Sequence, residues 1–122
     1  MRVVIPSTGE KGLEDSIAEH FGRCAAFTVV EIDMDKKEIK DVKVEKNPYY
    51  EQHMPFAVPE FIATLKPDLL ICAGAGQRAI DMFNKLKINF IYGCSGKVKD
   101  IVNDFMNGKL EGAENVCEHF EH

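Results

Sequence analysis

A histidine, His20, stands four residues before a cysteine, Cys24, with Gly22 and Arg23 between them in the stretch HFGRCAAF. Imidazole nitrogen and thiolate sulfur both ligate borderline and soft metals, and an i, i+4 pair would share one face if residues 15–23 were helical. An ordinary solvated histidine and a packed cysteine would look the same, so the pair matters only through what lies beside it in space. The other cysteines are Cys72, Cys94 and Cys117, and none of the four forms a C-x-x-C pair, which argues against a zinc ribbon and against a thioredoxin-type redox motif. Cys72 lies within the apolar run DLLICA and reads as core, whereas Cys94 sits among Gly93, Ser95 and Gly96 and reads as a loop residue. His53 falls in the polar, proline-bounded stretch PYYEQHMP, while Cys117 and His119 belong to a terminal stretch that reads as frayed.

A second kind of chemistry is suggested by GAGQRA, residues 74–79. Small residues between a strand and a helix start let backbone N–H groups approach an anion, with help from the helix dipole, so Gly74, Gly76 and Gln77 are candidate anion contacts. The stretch matches G-x-G-x-x-A, but it follows the fourth strand rather than the first, and no acidic residue ends the next strand to hold a ribose. A dinucleotide site is therefore not expected, and a tight turn needing glycine stands as the other reading.

The elements that must position these residues follow from periodicity. RVVI at 2–5 and AAFTVVEID at 25–33 read as strands, and Val42 and Val44 alternate with Asp41, Lys43 and Glu45 in a third. Val58, Phe61, Ile62 and Leu65 then recur at helical spacing, predicting a helix over 57–66 with Pro59 in its first turn. A buried strand at 68–73 follows, then a helix carrying Ala79, Met82, Phe83 and Leu86, a strand at 88–92, and a helix carrying Val98, Ile101, Val102 and Phe105. The order is βββαβαβα, an α/β fold with a mixed five-stranded sheet in which strand two alone is antiparallel and helices cover the faces.

Four of those strands then end on one edge, and in open α/β sheets ligands bind outside the carboxyl ends. The segments leaving that edge are 6–24, 47–56, 73–77 and 93–97. Topology thus brings His20, Cys24, His53, Gly74, Gly76 and Cys94 together, with Cys72 one strand position below. Because Cys24 precedes its strand, its thiol is expected at the mouth of the site, open to solvent and able to meet a metal as thiolate.

The bulk numbers bound the rest. A chain of 122 residues is one domain, and 45% hydrophobic with 29% charged residues is the composition of a globular protein in water. No apolar run approaches the roughly 20 residues a membrane helix needs, and the first ten residues lack a signal-peptide core, so a cytoplasmic protein without a membrane partner is expected. A net charge of −5, with lysines interleaved among acids, argues against a nucleic-acid surface. A two-metal nuclease would want a carboxylate on strand one, and RVVI offers none. No Ser-His-Asp or paired-carboxylate arrangement can be assembled either, so neither a nuclease nor a hydrolase of those kinds is expected.

These motifs together carry a resemblance. The stretch STGEKGLEDSIAEHFGRCAAFTVVEID, an asparagine and a histidine in the middle loop, and PDLLICAGAGQRAIDMFNKLKINFIYGCSGKVKDIVNDFMNGKLE are similar to the dinitrogenase iron-molybdenum cofactor biosynthesis family. That family includes the NifX and NafY proteins and the C-terminal domain of NifB, and this chain is similar to its small stand-alone members. The likeness spans residues 1–112, leaving 113–122 as a tail. It implies a ribonuclease H-like fold that binds or carries an iron-sulfur or iron-molybdenum-type cluster between donor and acceptor proteins without catalysis of its own. His53 falls near the family's loop histidine. On the chemistry of the residues, Cys24 and His53 are the leading metal ligands, Cys94 and His20 are further ones, and Arg23 with the Gly74–Gln77 amides answers the cluster's negative charge. A small-molecule or nucleotide-binding regulator using the Gly74-x-Gly76 turn without metal is the alternative.

Overall fold

The structure, a computed structural model of the chain, describes residues 1–21, 24–49, 57–74 and 76–109. Its strands are β1 (Arg2–Ser7), β2 (Ala26–Asp33), β3 (Glu38–Lys46), β4 (Leu69–Ile71) and β5 (Phe90–Ile91). Its helices are α1 (Ala57–Thr64), α2 (Gln77–Lys85) and α3 (Val98–Met106), and a 3-10 turn at Gly12–Glu14 follows β1. The five strands form one sheet in the order β3-β2-β1-β4-β5. β2 runs antiparallel to β1 and β3, whereas β1, β4 and β5 are mutually parallel.

Side chains alternate across this sheet with period two, and the two faces build two cores. Val4, Phe27, Val29, Leu70 and Cys72 pack with Val58 and Ile62 of α1 and Phe83 of α2. Val3, Ile5, Val30, Leu69, Ile71 and Ile91 pack instead with Val98, Ile101, Val102 and Met106 of α3. β1 and β4 are buried on both faces, which is why each reads as an unbroken apolar run rather than an alternating one. β3 lies at the sheet edge, half wet, with lysines along it and a bulge where the register shifts opposite Glu31 and Ile32; both features discourage pairing with another chain.

The elements are shorter than the apolar periodicity predicts. α1 ends at Thr64 and Lys66 turns into positive φ of 54°, while α2 ends at Lys85 and Lys87 does the same at 59°. Both lysines reverse the chain toward the following strand, a conformation that stops a helix whatever the hydrophobic pattern beyond it. At the other end of the sheet Arg2 ties three segments together: its side chain pairs with Glu31 and donates to the Leu65 carbonyl at 2.6 Å, and its amide donates to Asp68 at 2.7 Å.

Candidate functional site

The carboxyl edge of the parallel strands is crossed by the chain itself. Ser16 bridges to Lys97 beyond β5, and Ile17 bridges to Ser7 at the end of β1. The Ile17 amide donates to the Gly96 carbonyl at 2.9 Å, Ala18 to Pro6 at 2.8 Å, and Phe21 to Gly74 at 3.3 Å. Residues 16–21 therefore form a strap over the edge, and no described residue of 15–23 belongs to an α-helix. The expected i, i+4 helical face for His20 and Cys24 does not form. The physical reason lies in the two cores: Ile17 packs into the one under α3, while Ala18 and Phe21 pack into the one under α1 and α2. A helix cannot send adjacent residues to opposite faces of a sheet; a strap crossing its edge does.

The strap separates the two candidates. His20 and Glu19 are exposed, and they line a cleft of about 400 Å³ together with Thr8, Ser16, Ile17, Ala18 and Ala25. Cys24, by contrast, is 1% exposed and belongs to the core cluster that also holds Phe21, Phe27 and Cys72. The solvated thiol expected at the mouth is thus a buried one. Cys94 is likewise buried at 2%, on the α3 side of the sheet, and Cys72 at 0% is core as its run implied.

Burial governs the thiol chemistry, because a thiolate loses its hydration there. Desolvation pushes Cys24 up to about 12 from the ordinary value of 9.0, partly offset by N–H groups of Cys24 itself, Asn47 and Ser7. Cys94 is pushed up to about 11 by the same cause. Cys72 is raised as well, first by burial and then by its neighbours Cys24 and Cys94, so the three thiols lie within electrostatic reach of the middle one. In this closed arrangement all three are neutral at physiological pH.

Asn47 is the residue beside the Cys24 thiol that spacing alone did not single out. It is 5% exposed at the end of β3, and its Nδ2 donates to the Cys24 carbonyl at 2.9 Å while lying 3.8 Å from the Cys24 sulfur. Its Oδ1 accepts the Tyr49 amide at 3.0 Å, and its own amide donates to Ala25 at 3.0 Å. An asparagine directly before Pro48, just past a strand, is the available signal, since its side chain can close a turn on its own backbone.

The glycine turn serves packing at one position and stays open at another. A Cβ on Gly74 would stand 3.1 Å from the Glu19 carbonyl, so glycine there admits the strap. Gly76 caps the start of α2 with nothing within 4 Å of a Cβ placed on it. Gln77 turns its amide to Asp81 at 2.8 Å instead of toward the cleft. His53 and Arg23 lie outside the described residues. Among the described residues no three His, Cys, Asp or Glu side chains converge closely enough to hold a metal ion.

No described helix is long and apolar enough to cross a membrane. The fold and sequence are similar to those of PH0822, whose crystal structure superposes with a TM-score of 0.81 at 33% identity, covering 91% of this chain and 95% of that one. The NMR structure of a NifB candidate from Thermotoga, TM1290, matches with a TM-score of 0.68 at 25% identity over 91% of both chains. An uncharacterized protein of Methanocaldococcus jannaschii, MJ0580, is 24% identical over 115 residues, covering 93% of this chain and 92% of that protein. The dinitrogenase iron-molybdenum cofactor family model matches residues 1–108, nearly the whole described fold, and the chain belongs to that family.

Proposed function

We propose that this protein binds and carries an iron-sulfur or iron-molybdenum-type cluster, or a precursor of one, as cargo during cofactor assembly, without catalysing a reaction. The observation that carries this reading is the cleft at the carboxyl edge, lined by the exposed His20 and by Ala25, the residue next to the buried Cys24. Family membership supplies the class of cargo. The proposed ligands are Cys24, His53, Cys94 and His20, with Arg23, Gly76 and Gln77 on the anionic cluster's flank; Gly74 contributes by seating the strap. A carrier benefits from few protein ligands, because open coordination positions let an acceptor take the cluster. Cluster donors and acceptors are accordingly the proposed partners, in the cytoplasm, with neither nucleic acid nor membrane involved. The β3-β2-β1-β4-β5 order with β2 antiparallel supports the ribonuclease H-like description of the fold.

Anaerobic reconstitution of the full chain with ferrous iron and sulfide, followed by iron and sulfide analysis, tests this reading. Brown protein with iron and sulfide in equal amounts is expected, reduced in His20→Ala and more strongly in Cys24→Ala. A colourless wild-type chain that retains neither element after desalting would overturn it.

A further inference from the structure

A buried thiol cannot meet a cluster, yet the strap that buries these thiols is held unevenly. Its first half is anchored by backbone bonds on both sides: Thr8 donates to Ser16 at 3.0 Å, Ile17 to Gly96 at 2.9 Å, Ala18 to Pro6 at 2.8 Å, and Val98 to Asp15 at 2.8 Å. Across its second half, among the described residues, the bond to the neighbouring loop is the longer one from Phe21 to Gly74 at 3.3 Å, and Phe21 is the buried side chain, while Glu19 and His20 face solvent. The Phe21 ring lies edge-on to Phe83, with centroids 4.9 Å apart at 87°, and 6.4 Å from Phe27.

We infer that residues 19–21 are a latch hinged at Ala18, with Phe21 as its bolt, and that its release exposes Cys24 and Cys72 together while leaving Cys94 covered. The selectivity follows from the two cores. Phe21 belongs to the same buried cluster as Cys24 and Cys72, so withdrawing the ring opens the core in which those two sulfurs lie. Cys94 belongs to the cluster under α3 with Ile17, whose half of the strap stays bonded to Gly96. Segments with few backbone bonds and one apolar anchor open locally well below the free energy of global unfolding. The latch goes beyond the carrier reading: it says when a thiol becomes available, whatever then binds it.

Residue-resolved alkylation of the intact, metal-free chain with N-ethylmaleimide, followed by mass spectrometry, tests the latch without iron or sulfide. Cys24 and Cys72 are expected to react at least about tenfold faster than Cys94, because global unfolding would expose all three at one rate. Phe21→Ala should raise the first two rates by about another order of magnitude and leave Cys94 unchanged. Gly74→Ala provides a second variant that deletes no core atom: its Cβ would press on the Glu19 carbonyl from 3.1 Å and lift the latch, with the same selective outcome. A single common rate for the three thiols, or an equal acceleration of all three in Gly74→Ala, would overturn the inference. Because no cluster enters the experiment, its result stands apart from whether the protein carries iron.

Discussion

The side-chain amide of Asn47 donates to the Cys24 carbonyl at 2.9 Å, joining the end of β3 to the residue that enters β2. With its Oδ1 taken by the Tyr49 amide and its backbone N–H by Ala25, Asn47 is a four-point clamp between the two loops that leave this corner of the sheet. Asn47→Leu keeps the branched shape of the side chain but leaves the buried Cys24 carbonyl and the half-buried Tyr49 amide without these partners. A loss of about 1–3 kcal/mol is expected, read as a lower urea midpoint with unchanged slope. A variant as stable as the parent would show that the clamp is incidental.

The thiols make stability depend on alkaline pH, and the sign follows from the direction of their shifts. Each holds its proton more tightly folded than unfolded, so their contribution is fully present below the ordinary value of 9.0 and is lost as pH rises from there through about 11 for Cys94 and about 12 for Cys24. Thermal midpoints measured from pH 8 upward should fall, and the fall should be shallower in Cys24→Ala. A flat profile across this window would mean the thiols are solvated in the native state.

Replacing either cysteine in the α1 and α2 core now carries a similar structural cost. Cys24→Ala and Cys72→Ala each remove one buried sulfur from the same cluster, and each should destabilise by about 1–2 kcal/mol. Chemical denaturation of the pair decides this. Had Cys24 stood open at the mouth, its alanine variant would have matched the parent, and that result would place the thiol outside the core.

Gly96 isolates a backbone effect. Its φ is 105° and no atom lies within 4 Å of a Cβ built on it, so Gly96→Ala meets no clash but must adopt a conformation that L side chains rarely enter. A loss of about 1–2 kcal/mol is expected, together with faster hydrogen exchange at Ile17, whose amide binds the Gly96 carbonyl. An alanine variant with parental stability and unchanged exchange at Ile17 would show that the turn relaxes freely.

Apolar periodicity determined the five strands and the three helices after β3, because those patterns repeat within a few residues and each face of the sheet demands its own alternation; the single antiparallel strand followed from the hairpin and crossover rules. Connection rules applied to that order sent the segments 6–24, 47–56, 73–77 and 93–97 to one edge. What the tertiary structure decided is how that edge is filled. Ile17, Ala18 and Phe21 have spacing compatible with a helix, yet they divide between two cores that exist only once the sheet has formed. Glycine at 74 reads as a turn requirement, and the assembled fold adds a second one, the Glu19 carbonyl that packs against it. Cys24 looks exposed at the start of a strand until Asn47, supplied by the end of β3, bonds to it and the core cluster closes around it. Burial and hydrogen bonding between distant segments are properties of the assembled sheet, and no local pattern encodes which side of a loop will face water.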